Sequence, residues 1–145
     1  MANFGAKSIA KLNTCEKDIQ TIMLLAIVYM DFTIIFGQRS PDEQFALFTK
    51  GRTQNEQGVW VIQNQDEVVT YKDGTEKKSK HNYEPVSLAI DVAPWPSLWE
   101  DKNRFFELGG VVKTCGEQLF TEGKITKKLK WGYDLWSWDE GHFEL

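Results

Sequence analysis

The chain has 145 residues, of which 41% are hydrophobic and 26% charged, and a formal net charge of −4. This composition is ordinary for a globular protein and long enough for one domain with a real core. The net negative charge gives no reason to expect nucleic acid or another polyanion as an electrostatic partner. The N-terminus, Met1-Ala2-Asn3-Phe4-Gly5, lacks the basic-then-apolar layout of a secretory signal. The apolar run from Ile22 to Met30 is too short to span a bilayer. These features imply a cytosolic product with no stable membrane association. Cys15 and Cys115 match no metal spacing, so both are expected to be reduced, buried and small-apolar in role.

In chain order, Asn13-Thr14-Cys15-Glu16 pairs a cap residue with an acid three positions on, which starts a helix. Ile19, Ile22, Met23, Ala26 and Met30 continue it at helical spacing, and its nearly unbroken apolar stretch places it centrally. Asp31 to Phe36 is β-branched and aromatic and reads as a buried strand. Ser40-Pro41-Asp42-Glu43 then starts a second helix, with Ser40 as cap, Pro41 in the first turn and Glu43 completing a capping box. Gly51 ends it. Val59–Ile62 and Glu67–Tyr71 are short strand candidates around a polar turn, and Asp73-Gly74 is a strong turn signal. Glu76-Lys77-Lys78-Ser79-Lys80 is basic but short and reads as a solvated loop.

Leu88, Ile90 and Val92 alternate with Ser87, Ala89 and Asp91. A strand here sends the first three to the core and Asp91, beside small neighbours, to the opposite face. Ser97-Leu98-Trp99-Glu100 is a third capping pattern, leading a helix through Phe105, Leu108, Val112, Cys115 and Leu119. Gly109-Gly110 costs that helix roughly 1 kcal/mol per glycine, which implies a close contact with another helix there. Leu129–Tyr133 returns as a strand, and Asp134–Trp138 is a loop delivering the last turn. In His142-Phe143-Glu144-Leu145, Phe143 and Leu145 point inward and His142 to the other face. There is no internal repeat and no linker.

The chain has two histidines, His81 and His142, each with an aspartate at short range, Asp91 and Asp139. Two imidazoles and a carboxylate are a usual ligand set for catalytic zinc, which keeps a fourth position for water. No His-Glu-x-x-His helix is present, which excludes a thermolysin-type site.

Ser79-Lys80-His81, then Ala89-Ile90-Asp91, then Asp139-Glu140-Gly141-His142-Phe143-Glu144 together resemble the LAS-type (M15, VanY-like) zinc peptidases. Within them the pattern looks most like the bacteriophage endolysins that act as L-alanyl-D-glutamate peptidases. The segment Gln38–Gln44 followed by Gly51-Arg52-Thr53 adds to this resemblance. The chain departs from the usual Ser-x-His-x-x-Gly-x-Ala-x-Asp pattern twice. Glu84-Pro85-Val86 is extra, and Ser87 stands where glycine is usual.

The resemblance implies that His81, Asp91 and His142 hold Zn2+, that Asp139 is the catalytic carboxylate and that Arg39 faces the substrate. Glu140 is the rival base and Glu144 a third. Ser79 either orients a ligand, touches substrate or caps a turn. The expected fold is α+β, a small antiparallel sheet with helices packed mainly on one side and the zinc site on the exposed sheet face. Residues 1–145 form one catalytic domain with no separate wall-binding module.

The implied partner is the peptidoglycan stem peptide. The implied context is a monomeric lysin held in the host cytoplasm until a holin releases it. The alternatives are a D-Ala-D-Ala carboxypeptidase of the same family and, from another class, a non-catalytic zinc-binding module.

Overall fold

The computed structural model describes residues 2–145. Among the described residues five α-helices and six strands follow one another in this order: α1 (Ala6–Leu12), α2 (Lys17–Tyr29), β1 (Phe32–Phe36), α3 (Pro41–Phe48), β2 (Arg52–Gln54), β3 (Trp60–Ile62), β4 (Ala89–Pro94), α4 (Lys102–Thr121), β5 (Lys130–Trp131), α5 (Gly132–Trp136) and β6 (His142–Glu144). Four strands form an antiparallel sheet in the order β1-β4-β6-β5, and β2 and β3 form a separate hairpin. Among the described residues no helix is long and apolar enough to cross a membrane.

The core forms between the helices and one face of the sheet. Ile19, Ile22, Met23 and Ala26 of α2 meet Leu108, Val112 and Leu119 of α4. Beneath them lie Ile34, Ile90, Val92 and Phe143 from three neighbouring strands. The strand alternation expected around Asp91 and at 142–145 is therefore realised, because burying Ile90, Val92 and Phe143 on one face exports their neighbours to the other, whereas Leu88 precedes β4, is half-buried and stays outside the core. Both cysteines are free and buried. Gly109 is explained by a ring rather than by another helix: a Cβ there would stand 2.3 Å from the Trp131 side chain. Gly110 faces open space, and nothing in the structure explains it.

Several boundaries differ from the sequence expectation. Asn13 ends α1 instead of opening a helix, and Glu16 caps α2 by accepting from the Asp18 amide. Residues 67–71 form no strand. The partner of β3 is β2, and Asn55 Oδ1 closes their turn by accepting from the Gln57 and Val59 amides. Helix α4 begins at Lys102 with Asp101 as its cap, so the pattern at Ser97 caps nothing. Residues 132–136 are helical where a strand end and a loop were expected. At α2, α4 and the β2–β3 turn, a polar side chain other than the one the spacing suggested satisfies the backbone donors, which local patterns do not determine.

Candidate active site

The site is built on the sheet face away from α2 and α4. Asp91 in β4 and His142 in β6 are direct antiparallel partners, so their side chains share a face. His142 Nδ1 lies 2.9 Å from Asp91 Oδ1, and its Nε2 lies 3.0 Å from Glu144 Oε1. His81 arrives from a one-turn 3-10 helix, Lys80–Asn82, that docks on β4. Its Nδ1 meets the Gly37 carbonyl at 2.7 Å. As the donor in that bond, Nδ1 leaves Nε2 with a free lone pair. Nε2 is buried, has no hydrogen-bond partner and lies 3.2 Å from Asp91 Oδ2.

Ser79 caps the turn that carries His81. Its Oγ accepts from the His81 amide at 3.2 Å, while its own amide donates to Asn82 Oδ1 at 3.0 Å. The extra residues 84–86 do not separate His81 from Asp91. The Leu88 amide donates to the Lys80 carbonyl and closes the loop. Gln38 Nε2 donates to the Tyr83 and Pro85 carbonyls from the other side. Ser87 is fully buried in the place of the usual glycine, and its hydroxyl is engaged with the Ala89 backbone.

Arg39 follows β1. Its Nη2 donates to Asp91 Oδ2, its Nη1 donates to Gln44 Oε1 at 3.1 Å, and its guanidinium lies 4.2 Å from the Phe36 ring centre. Arg39 therefore turns inward and does not pair with Asp42 or Glu43. Burial lowers its pKa, and Asp91 opposes that shift.

Asp139 lines the same cleft from the turn before β6, on left-handed backbone with φ 65°, a conformation aspartate tolerates better than most side chains. Gly132 makes room for that turn, since a Cβ there would meet the Asp139 carbonyl at 2.7 Å. Burial first, then the Asp91 charge, push the Asp139 carboxyl up to about 6. Its neighbour Glu140 is tied to Lys102 at 3.2 Å.

The cleft holds about 840 Å³. Ligand atoms of His81, Asp91 and His142 all lie within 4.8 Å of one another, close enough to share one metal ion. Burial acts to raise the Asp91 pKa, but the two imidazoles that face it, His81 and His142, hold it well below the usual carboxylate range. Burial acts to lower the His142 pKa, but its bonds to Asp91 and Glu144 bring it up to about 9.

Two partners of the imidazoles were not foreseen from the sequence. The Gly37 carbonyl carries no side-chain signal at all. Glu144 does: it lies two residues from His142 on a strand, so alternation already placed it beside that imidazole.

The sequence matches no protein-family model and no curated protein. Among solved structures, the chain is similar to the L-Ala D-Glu endopeptidase ChiX of Serratia marcescens. The TM-score is 0.66 over 99% of this chain and 90% of that one, at 17% sequence identity. The fold is therefore the one that the motif resemblance implied.

Proposed function

We propose that this protein is a zinc-dependent peptidoglycan peptidase that hydrolyses the bond between L-alanine and D-glutamate in the stem peptide. The observation that carries the reading is the buried, partnerless Nε2 of His81, aimed at a carboxylate that a second imidazole also faces. Buried polar atoms without partners are rare in folded proteins, and a lone pair held open in this way suits a metal ion. The donor set of His81, Asp91 and His142 fits zinc in type and number. Gly37 and Glu144 orient the imidazoles by holding the nitrogens that face away from the shared centre.

When bound, zinc polarises a scissile carbonyl and makes water a better nucleophile near neutral pH. Asp139 takes the proton from the attacking water and hands it to the leaving amine, a task suited to a carboxyl whose pKa is near 6. Glu140 is less suited, because Lys102 already holds its carboxylate. Arg39 stabilises negative charge on the substrate or restrains Asp91 with its planar fork. Ser79 acts through the backbone of the His81 turn.

The bond choice is supported by the endolysin-like segment from Arg39 to Gln44 and by the shared fold. The same resemblance supports a role in host lysis, with release to the wall through a holin. Digestion of purified peptidoglycan, followed by mass spectrometry, tests the reading. New D-glutamate amino termini are the expected products. Free D-alanine without them would indicate the carboxypeptidase, and bound zinc with no release would indicate a non-catalytic module.

A further inference from the structure

The basic stretch around Lys78 reads from sequence as a solvated loop, but the loop from Thr70 to Lys80 is pinned. Gln44 is fully buried, and its Nε2 donates to Thr70 Oγ1 at 3.2 Å and to the Lys72 carbonyl at 3.0 Å. The same side chain accepts from Arg39, so one amide joins the loop to the catalytic face. Arg52 Nη1 donates to the Thr70 carbonyl at 3.0 Å. Asp73 is turned into the loop, where its Oδ1 accepts from the Thr75 and Lys77 amides at 2.9 and 3.0 Å.

This fixed loop brings Lys72 and Lys78 to the lining of the cleft. Neither makes an ion pair among the described residues. Three of the four cleft carboxylates are already engaged, and the fourth, Asp139, is the proton carrier of the proposed reaction. Asp91 is held by Arg39 and the imidazoles, Glu144 by His142 and Glu140 by Lys102. An acidic chain, at net charge −4, thus lines one side of its cleft with uncommitted positive charge. Water-facing lysines attract an anion over several ångströms without fixing its geometry, which suits a flexible carboxylate ligand.

We propose that Lys72 and Lys78 form a subsite for the free α-carboxylate of the glutamate flanking the cleaved bond. The protein then prefers stems carrying that carboxylate over stems in which it is amidated. The inference rests on the peptidase reading for the identity of the ligand. It adds a selection that the metal centre itself cannot make, since both stems present the same scissile carbonyl.

The test uses two synthetic stem peptides that differ only in this group, carboxylate against carboxamide. Calorimetric binding is measured on the Asp139→Ala protein, so that neither peptide is consumed, with and without Lys72→Gln and Lys78→Gln together. The carboxylate peptide should bind roughly fivefold more tightly, as expected for two exposed charge contacts, and the preference should shrink below about twofold in the lysine-substituted protein. It should also weaken as salt is raised. Equal affinities, no binding of either peptide, or a preference that survives both substitutions would overturn the subsite. Failure of the peptidase reading shows separately, as selective binding with no cleavage by the unsubstituted protein.

Discussion

On one face of the four-stranded sheet, Ile90, Val92 and Phe143 pack under α2 and α4. One residue away in the same strands, Asp91 and His142 face the cleft with Arg39, His81 and Glu144. The first face asks only for apolar volume, which many side chains supply at similar cost. The second asks each polar atom to find a partner, and it leaves His81 Nε2 and Arg39 Nε without one. Unsatisfied buried atoms cost free energy, so the orphan nitrogens mark where this fold has given up stability. The helix side holds the structure together, and the cleft side spends part of that stability on a site.

Substitutions on the cleft face should have the largest effect on function. The unsubstituted protein should hold about one zinc ion per chain, and His81→Ala or His142→Ala should abolish both that zinc and the activity. Metal analysis of the purified variants checks this. Full zinc occupancy in both would break the contrast by moving the metal elsewhere.

Asp139→Ala should keep the zinc and the fold while turnover falls about a hundredfold or more. Its residual rate against peptidoglycan, measured beside its metal content, separates proton transfer from ligation. Near-normal turnover would transfer the role to Glu140.

The helix face should respond in the opposite way. Leu108→Ala removes a side chain that is almost fully buried between α4 and the sheet. It should cost about 2–5 kcal/mol in denaturant unfolding, yet leave zinc content per folded molecule unchanged. A loss of metal at full foldedness would show that the two faces are coupled.

A subtler effect concerns pH in chelator-treated protein. The folded-state pKa of His142, about 9, lies above its ordinary value of 6.5. The stability it contributes is complete below about 6.5 and is lost as pH rises through 9, on the order of 3 kcal/mol in all. Asp139, raised from 3.8 to about 6, adds loss in the same direction between those two values. Asp91 and Glu144, both lowered, oppose Asp139 near pH 4 to 5, so the clear fall in the unfolding free energy of the chelated protein should come as pH rises from about 6 to 9. Zinc, which competes with the proton for His142, should flatten the upper part of that slope. A stability that rises between pH 7 and 9 without metal would contradict the His142–Asp91 pairing.

The smallest effect lies in the core. Burial pushes the Cys15 thiol up to about 12 and also raises that of Cys115. Both should resist alkylation in the native protein and react after denaturation without reductant.

The sequence by itself determined that His81, Asp91 and His142 form one group, and it determined the two faces of β4 and β6. Alternation around Asp91 and His142 is local, and the side-chain period of a strand leaves no other assignment once the apolar residues are buried. It also determined helix α3, because Ser40, Pro41 and Glu43 act on backbone donors within one turn. Only the tertiary structure decided which carboxylate holds His142, that the Gly37 carbonyl sets the His81 tautomer, and that Gln44 ties Arg39 to the lysine loop. It likewise decided that β3 pairs with β2 and that α4 starts at Lys102. Those outcomes depend on contacts between residues distant in sequence, or on competition among several polar side chains for the same amides. Hydrophobic periodicity records which side of an element is buried, but not which polar partner will be waiting on the other side.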